Sequence, residues 1–566
     1  MKPPSRAVTD RTLSEQGAIV KQGKGLTRVA LVYPNTYQAG MSNLGFQRVY
    51  YLINQQEKVA CERVFLPDPR QKHPDIRSCE SGLPLDRFDI ILFSISFEND
   101  FSHLVQLLKD AGIPLRSSDR SPAHPLVGAG GVACFLNPEP IAVFMDFFLL
   151  GEAECLVQDF FYLFHQKNRT NLLASLETDL TGAYVPARHD PAAVPKITVR
   201  FLENLDQIQT HTSVLTAHTA FKDKFLVEIL KGCPHGCRFC TAGFIYRPPR
   251  IYPKENIIRA MDQAVGKSRK VGLISSAVLD HPDIAAICRY GAEKGFDLSF
   301  SSLRADRLDD AMIDLLARSR VKTATIAPEA GSERMRRIIN KKMTESDIFR
   351  AVEKLVEKNI LNLRLYFMIG LPFETDADVF AIVTLTRQIK ERFLSASRKQ
   401  KRMGTITLSI NAFIPKPATP FQWAVLAEEA TLRHRADIIR QGLKKTPNVT
   451  VNLPSLKTAR ISALLSLGDR NTANVLESAC EKGWAHAFRR HADYCRQIIH
   501  IAKPLPALPG TSASSPRPAG SPLPWDFLDS GISRHFLANE WHRAAQEKQS
   551  AACPMICCDQ CRVCRT

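Results

Sequence analysis

A chain of 566 residues is too long for one hydrophobic core and predicts two or three domains. Its hydrophobic fraction of 45% is that of a globular protein, and its most apolar stretch, residues 141–150, is too short to span a membrane and carries Asp146. The net charge of +18 favours anionic partners, nucleic acid above all, while fifteen cysteines behind a non-secretory N-terminus point to a reducing cytoplasm and to metal binding rather than disulfides.

Residues 1–25 read as a loosely ordered leader. Residues 27–34 (TRVALVYP) predict a buried parallel strand, followed by a helical pattern through Tyr51. Residues 88–97 (FDIILFSISF) predict a second strand and 99–111 a helix; 125–133 (PLVGAGGVA) end a third strand in glycines, and 144–150 a fourth. This alternation predicts a doubly wound parallel sheet within residues 26–165, its last helix at 156–165. Residues 166–220 read as a connector, rich in β-formers and threonine from 196 onward.

From residue 225 the alternation resumes, with strands predicted at 225–231, 270–275, 297–302, 322–327, 362–368 and 405–412. Helices fit between them at 253–264, 282–294, 309–318, 343–358 and 377–392. The fold class expected is therefore α/β: the N-terminal sheet, then a partial (β/α)6 barrel over 221–425 with functional residues at the C-terminal strand ends. Residues 426–502 read as a mostly helical extension with a short strand at 448–452. Residues 503–524 are a Pro/Ser/Ala/Gly linker, and 525–566 combine an amphipathic helix with a cysteine cluster.

The first barrel strand runs into Cys233-Pro-His-Gly-Cys237-Arg-Phe-Cys240. Three thiolates in one short loop can hold three corners of an iron–sulfur cube and leave the fourth iron free to bind and reduce something. The alternatives are a zinc site with His235 as a further ligand, or unrelated loop cysteines.

With this C-x3-C-x2-C spacing after a strand, and Phe239 before the last cysteine, the chain resembles the radical S-adenosylmethionine (SAM) enzymes. The resemblance implies that Cys233, Cys237 and Cys240 ligate a [4Fe–4S] cluster whose open iron is capped by SAM, and that reductive cleavage yields a 5′-deoxyadenosyl radical which abstracts hydrogen from a substrate. It implies cofactor contacts at strand ends: Phe239 at the adenine, Ser275 where the family places a Gly-Gly-Glu group that is absent here, Ser302 and Arg304 at the SAM carboxylate or ribose, Glu329 at the ribose or amine, and Gly370 where backbone nears the adenine. The plain alternative for Arg304 is a structural ion pair with Asp306 or Glu329.

The N-terminal segment resembles the cobalamin-binding-type domains on Gly130-Gly131, Asn137-Pro138-Glu139, Asp146 and Gly151-Glu152-x-Glu154. Residues 35–45 lack the histidine of the Asp-x-His-x-x-Gly loop, so the resemblance implies cobalamin without axial histidine, or a domain that positions substrate. The stretches 326–333 (IAPEAGSE), 369–372 (IGLP), 413–423 (FIPKPATPFQW) and 242–250 (AGFIYRPPR) resemble methylthiotransferase barrels. Those enzymes begin with a different cysteine-bearing domain, so methylthiolation is not expected.

Two basic clusters, 334–342 and 398–402, suit an RNA or ribosome-associated substrate, against the plainer reading of solvated faces. In the tail, Cys553, Cys558, Cys561 and Cys564, with Cys557 among them, suit zinc or an auxiliary iron–sulfur cluster, or else a frayed terminus with unbound thiols. The expected partners are SAM and a reductant such as flavodoxin or ferredoxin, with no membrane. Cobalamin-dependent methyl transfer and a non-catalytic RNA-binding or assembly factor are the rival functions.

Overall fold

The computed structural model describes residues 14–67, 75–300, 303–319, 321–398, 403–501, 523–555, 558, 560, 561, 563 and 564. Five apolar segments form a parallel sheet: β1 (Thr27–Tyr33), β2 (Val59–Phe65), β3 (Ile90–Ser94), β4 (Leu126–Gly130) and β5 (Phe147–Leu149). β6 (Ala183–Tyr184) closes one edge antiparallel, giving the order β2-β1-β3-β4-β5-β6. The two-residue period sorts each strand between two cores: Ala30, Val32, Ile91 and Phe93 enter one, Val29, Leu31, Ile90 and Leu92 the other. Both faces are covered, which is why these strands are mostly apolar.

β2 is a strand that the sequence reading did not include. Its run VACERVF is fully buried despite Glu62 and Arg63. Arg63 bonds Glu15 at 2.6 Å and Glu80 at 2.6 Å, so its charge is neutralised inside the fold.

After the connector strand β7 (Ile197–Thr198) come two further parallel sheets. β8 (Phe225–Glu228) leads into β9 (Leu230–Lys231), which pairs antiparallel with β10 (Arg250–Ile251) and pinches off the cysteine loop at its base. β8 also pairs with β11 (Lys270–Ile274), and β11 with β12 (Asp297–Phe300). The second sheet is β13 (Thr323–Glu329), β14 (Asn362–Ile369), β15 (Thr405–Ala412) and β16 (Val449–Asn452), all parallel. Among the described residues one bridge, Leu303 to Ile326, joins the two sheets, and no closed barrel forms.

Five helices between Glu429 and His500 make the extension. Leu465, Ala473 and Leu476 from this region enter the N-terminal core. The sheet residues answer with polar contacts: Asn137 donates to Ser466 O and Gly468 O, and Glu139 pairs with Arg470 at 2.9 Å. β17 (Leu528–Asp529) then pairs in parallel with β7, and the helix Arg534–Ala545 follows.

Candidate active site

Gly232 opens the cysteine loop at φ +83°, where a Cβ would stand 2.6 Å from Tyr246 O, so only glycine turns the chain here. Cys240 N donates to Cys237 O at 3.0 Å, and Asn340 Nδ2 holds Gly236 O at 3.0 Å. Burial, then the negative charge of Cys237, pushes the Cys233 thiol up to about 12 and the Cys240 thiol up to about 11. The three thiols thus lie within electrostatic reach of each other. Among the described residues no three His, Cys, Asp or Glu side chains stand at distances that close a metal site. His235, the candidate zinc ligand, lies with Nε2 2.9 Å from Asp280 Oδ2 and is engaged there. The donor set left on the loop is three soft thiols, which suits a three-cysteine cube with one open iron.

Two cations, the buried Lys341 and the half-buried Arg304, face this loop. Lys341 donates to Glu329 Oε1 at 3.3 Å, and Arg304 bonds Asp306 and Lys341 O at 3.0 Å each. Burial works against the charge of Lys341, but Glu329 and Cys237 outweigh it and raise its pKa; for Arg304 the Asp306 bond and Cys237 do the same. Burial raises the Glu329 carboxyl, against the opposing pull of Lys341. Lys341 was hidden in the basic stretch 334–342, and its burial gives it a role that composition does not reveal.

That stretch is largely turned inward, which corrects its reading as a solvated face. Arg334 pairs with Asp378 at 2.8 Å and Glu547 at 2.7 Å, and Arg336 is buried with donations to Ala330 O and Gly331 O. Residues 399–402 of the other basic cluster lie outside the described residues.

The remaining sequence candidates are distributed as follows. Phe239 packs against a small apolar cluster with Met335, Leu371, Phe413 and Phe421. Ser275 is buried at the end of β11, its Oγ accepting from Ala277 N at 3.0 Å. Gly370 has φ +83°, and the space of a Cβ is taken by Leu432 at 2.8 Å and Ala427 at 3.2 Å. Ser302 lies outside the described residues.

The loop has a cover that sequence reasoning did not find. Arg238 is fully buried; its Nε bonds Glu540 at 3.0 Å, and its Nη2 donates to Lys548 O at 2.8 Å and Ser550 Oγ at 3.0 Å. Trp541 packs edge-on against Phe373 and Phe421, with centroids 5.5 and 5.7 Å away. The only sequence signal for this cover was the amphipathic pattern of the helix itself.

Two cavities lie beside the loop. One of about 290 Å³ sits over the carboxyl edge of the N-terminal sheet, against Gly130, Gly131, Glu152 and Glu154. The other, of about 310 Å³, reaches Gly232 and Ser275. Both are lined by Glu228, Lys231 and Tyr246. Their charged groups are paired: Lys231 with Glu228 at 3.1 Å, Arg48 with Glu154 at 2.9 Å, Arg250 with Glu152 at 2.7 Å.

Comparison with known proteins bears on the same segments. The family described as "Radical SAM proteins, N-terminal" matches residues 45–186, and "Radical SAM superfamily" matches 227–386. An uncharacterized protein of Methanocaldococcus jannaschii is 31% identical over 458 residues, 80% of this chain and 91% of its own length. The ribosomal protein uS12 methylthiotransferase of Thermodesulfovibrio yellowstonii is 22% identical over 34% of this chain and 48% of its own. Among solved structures, the radical SAM methyltransferase TsrM of Kitasatospora setae covers 82% of this chain and 99% of its own at 12% identity and TM-score 0.46, too slight a likeness to carry a substrate across. No helix among the described residues is long and apolar enough to cross a membrane. With both halves of the family architecture matched and a relative aligned along most of its length, the chain belongs to the radical SAM superfamily, whose enzymes work with a [4Fe–4S] cluster and SAM.

Proposed function

We propose that this enzyme acts on a small molecule seated between the N-terminal sheet and the barrel, with Cys233, Cys237 and Cys240 holding the [4Fe–4S] cluster. The observation that carries the reading is the shared wall of the two cavities, Glu228, Lys231 and Tyr246, which leads from the sheet edge to the base of the cysteine loop. The chemistry a cluster supplies there is one-electron cleavage of SAM to methionine and a 5′-deoxyadenosyl radical that takes hydrogen from the substrate.

The chain's own residues prepare that chemistry. Arg304 and Lys341 offset the negative charge of the thiolates, and Lys341 holds Glu329 where it can meet the ribose or amine of SAM. Ser275 and Gly232 line the cavity on the side facing the loop. The Arg238–Glu540 pair and Trp541 keep water from the loop's far side. In the cavity Lys231, held protonated by Glu228 against its burial, and the Tyr246 hydroxyl orient a polar group of the substrate. A one-electron donor of the flavodoxin or ferredoxin class completes the cycle. An RNA or ribosome-associated substrate draws support from the net charge and from the resemblance to methylthiotransferases, and not from the stretch 334–342, which is largely spent on intramolecular partners.

Cobalamin-dependent methyl transfer is a second reading. The position of the cavity at the carboxyl edge of the N-terminal doubly wound sheet favours it.

The test is anaerobic reconstitution with iron, sulfide, SAM and dithionite, followed by measurement of 5′-deoxyadenosine. Wild type makes it and Cys240→Ala does not; a filled wild-type cluster without product overturns the reading. The dialysable fraction of a cell extract raises the yield on the small-molecule reading, its RNA fraction on the other. Cobalamin retained through purification selects methyl transfer.

A further inference from the structure

The tail cysteines are not needed for the chemistry above, yet the fold fastens them to its centre. Cys553 is buried, and its backbone N donates to Pro234 O at 2.8 Å, one residue from Cys233. Cys561 is buried, and its carbonyl accepts from Ser533 N at 3.3 Å, at the start of the helix that covers the cysteine loop. One end of the group is therefore tied to the cysteine loop and the other to its cover.

A buried cation sits beside them. The Arg247 guanidinium lies over Phe244 at 5.2 Å and Phe536 at 5.1 Å, and its Nε donates to Gly243 O at 2.6 Å. Arg247 is 8% exposed. Among the described residues no carboxylate forms an ion pair with it, and it sits between the cysteine loop, its Nη2 being 3.3 Å from where a Cβ on Gly236 would stand, and Phe536 of the covering helix. A buried charge without a counter-ion is costly, and a cluster of metal-bound thiolates is an anion placed to neutralise it.

The spacing chooses the metal. Structural zinc sites usually take cysteines as separated pairs. Here Cys558-x2-Cys561-x2-Cys564 is one continuous run, with a detached Cys553 followed by Pro554, the pattern of ferredoxin-type cubes. We propose that Cys553, Cys558, Cys561 and Cys564 hold a second [4Fe–4S] cluster, ligated by four cysteines and seated against the loop of the first.

The test uses the full chain with Cys233, Cys237 and Cys240 all changed to Ala, prepared without oxygen. It retains about four irons per chain and gives a [4Fe–4S] electron paramagnetic resonance signal on reduction, whereas wild type holds about eight. Adding Cys558→Ser and Cys561→Ser removes the retained iron while circular dichroism stays that of the parent. Should the combined variant fail to fold, the triple variant decides alone, because its tail is intact. One zinc per chain in place of that iron, or a metal-free triple variant, overturns the proposal. The two readings fail separately. Iron in the triple variant with no 5′-deoxyadenosine from wild type sinks the catalytic reading only, and the reverse result sinks only the second cluster.

Discussion

Arg238 and Glu540 meet at 3.0 Å with both side chains removed from solvent, and they join the cysteine loop to a helix from the far end of the chain. The guanidinium also donates to Ile338 O and Lys548 O, so one residue between two cysteines gathers three segments. A buried pair like this adds little net stability, but breaking it strands a charge.

Glu540→Ala is therefore expected to cost about 3–5 kcal/mol, read by chemical denaturation, while Arg238→Met with Glu540→Leu recovers much of the loss. A cost for Glu540→Ala within about 0.5 kcal/mol of zero would mean that the helix does not clamp the loop.

Lys341→Met removes the partner of half-buried Glu329 and a cation facing Cys237. The expected result is a 10–100-fold weaker hold on the cluster, in keeping with the effect of outer partners on metal sites. Iron retained per chain during challenge with a chelator measures it; Lys341→Arg keeps the charge and retains more.

Glu374 gives the fold a pH dependence. Burial pushes its carboxyl up to about 7, against the opposing effects of the Gly370 N–H and Arg435. A folded value above the unfolded one means a contribution fully present below the ordinary carboxylate range and lost as pH rises through 7. The size is at most about 3 kcal/mol. Urea denaturation from pH 4.5 to 8 should show this decline in wild type and a flatter profile in Glu374→Gln; identical slopes would contradict it.

Gly131→Ala tests the lining of the cavity over the N-terminal sheet. This glycine has φ +100°, and an added Cβ would stand 2.5 Å from Ile95 O. The substitution should cost about 1–3 kcal/mol, with a fall in melting temperature as the readout.

The apolar strands were the most legible part of the chain. β15 falls at residues 405–412 because TITLSINA alternates polar and apolar residues with the period of a strand, and β11 within 270–275 because a short apolar run follows Lys270. β2 was not legible: Glu62 and Arg63 break its pattern, and the residues that neutralise Arg63 lie at positions 15 and 80. The same non-local pairing misled the reading of residues 334–342, whose charges meet Asp378, Glu547 and Glu329. Asn137 and Glu139, which carry part of the resemblance to a cobalamin-type domain, also anchor the C-terminal helices, a role that their local pattern does not reveal. Local pattern reports burial; it does not report which distant side chain makes burial of a charge tolerable.

The contact that seals the cysteine loop spans 302 positions of sequence. During synthesis at about 5–20 residues per second, Arg238 leaves the ribosome roughly 15–60 s before its carboxylate partner exists. For that interval the nascent loop is exposed to whatever delivers iron and sulfide. Until the helix that carries Glu540 and Trp541 emerges, the nascent loop lacks the cover these residues give it.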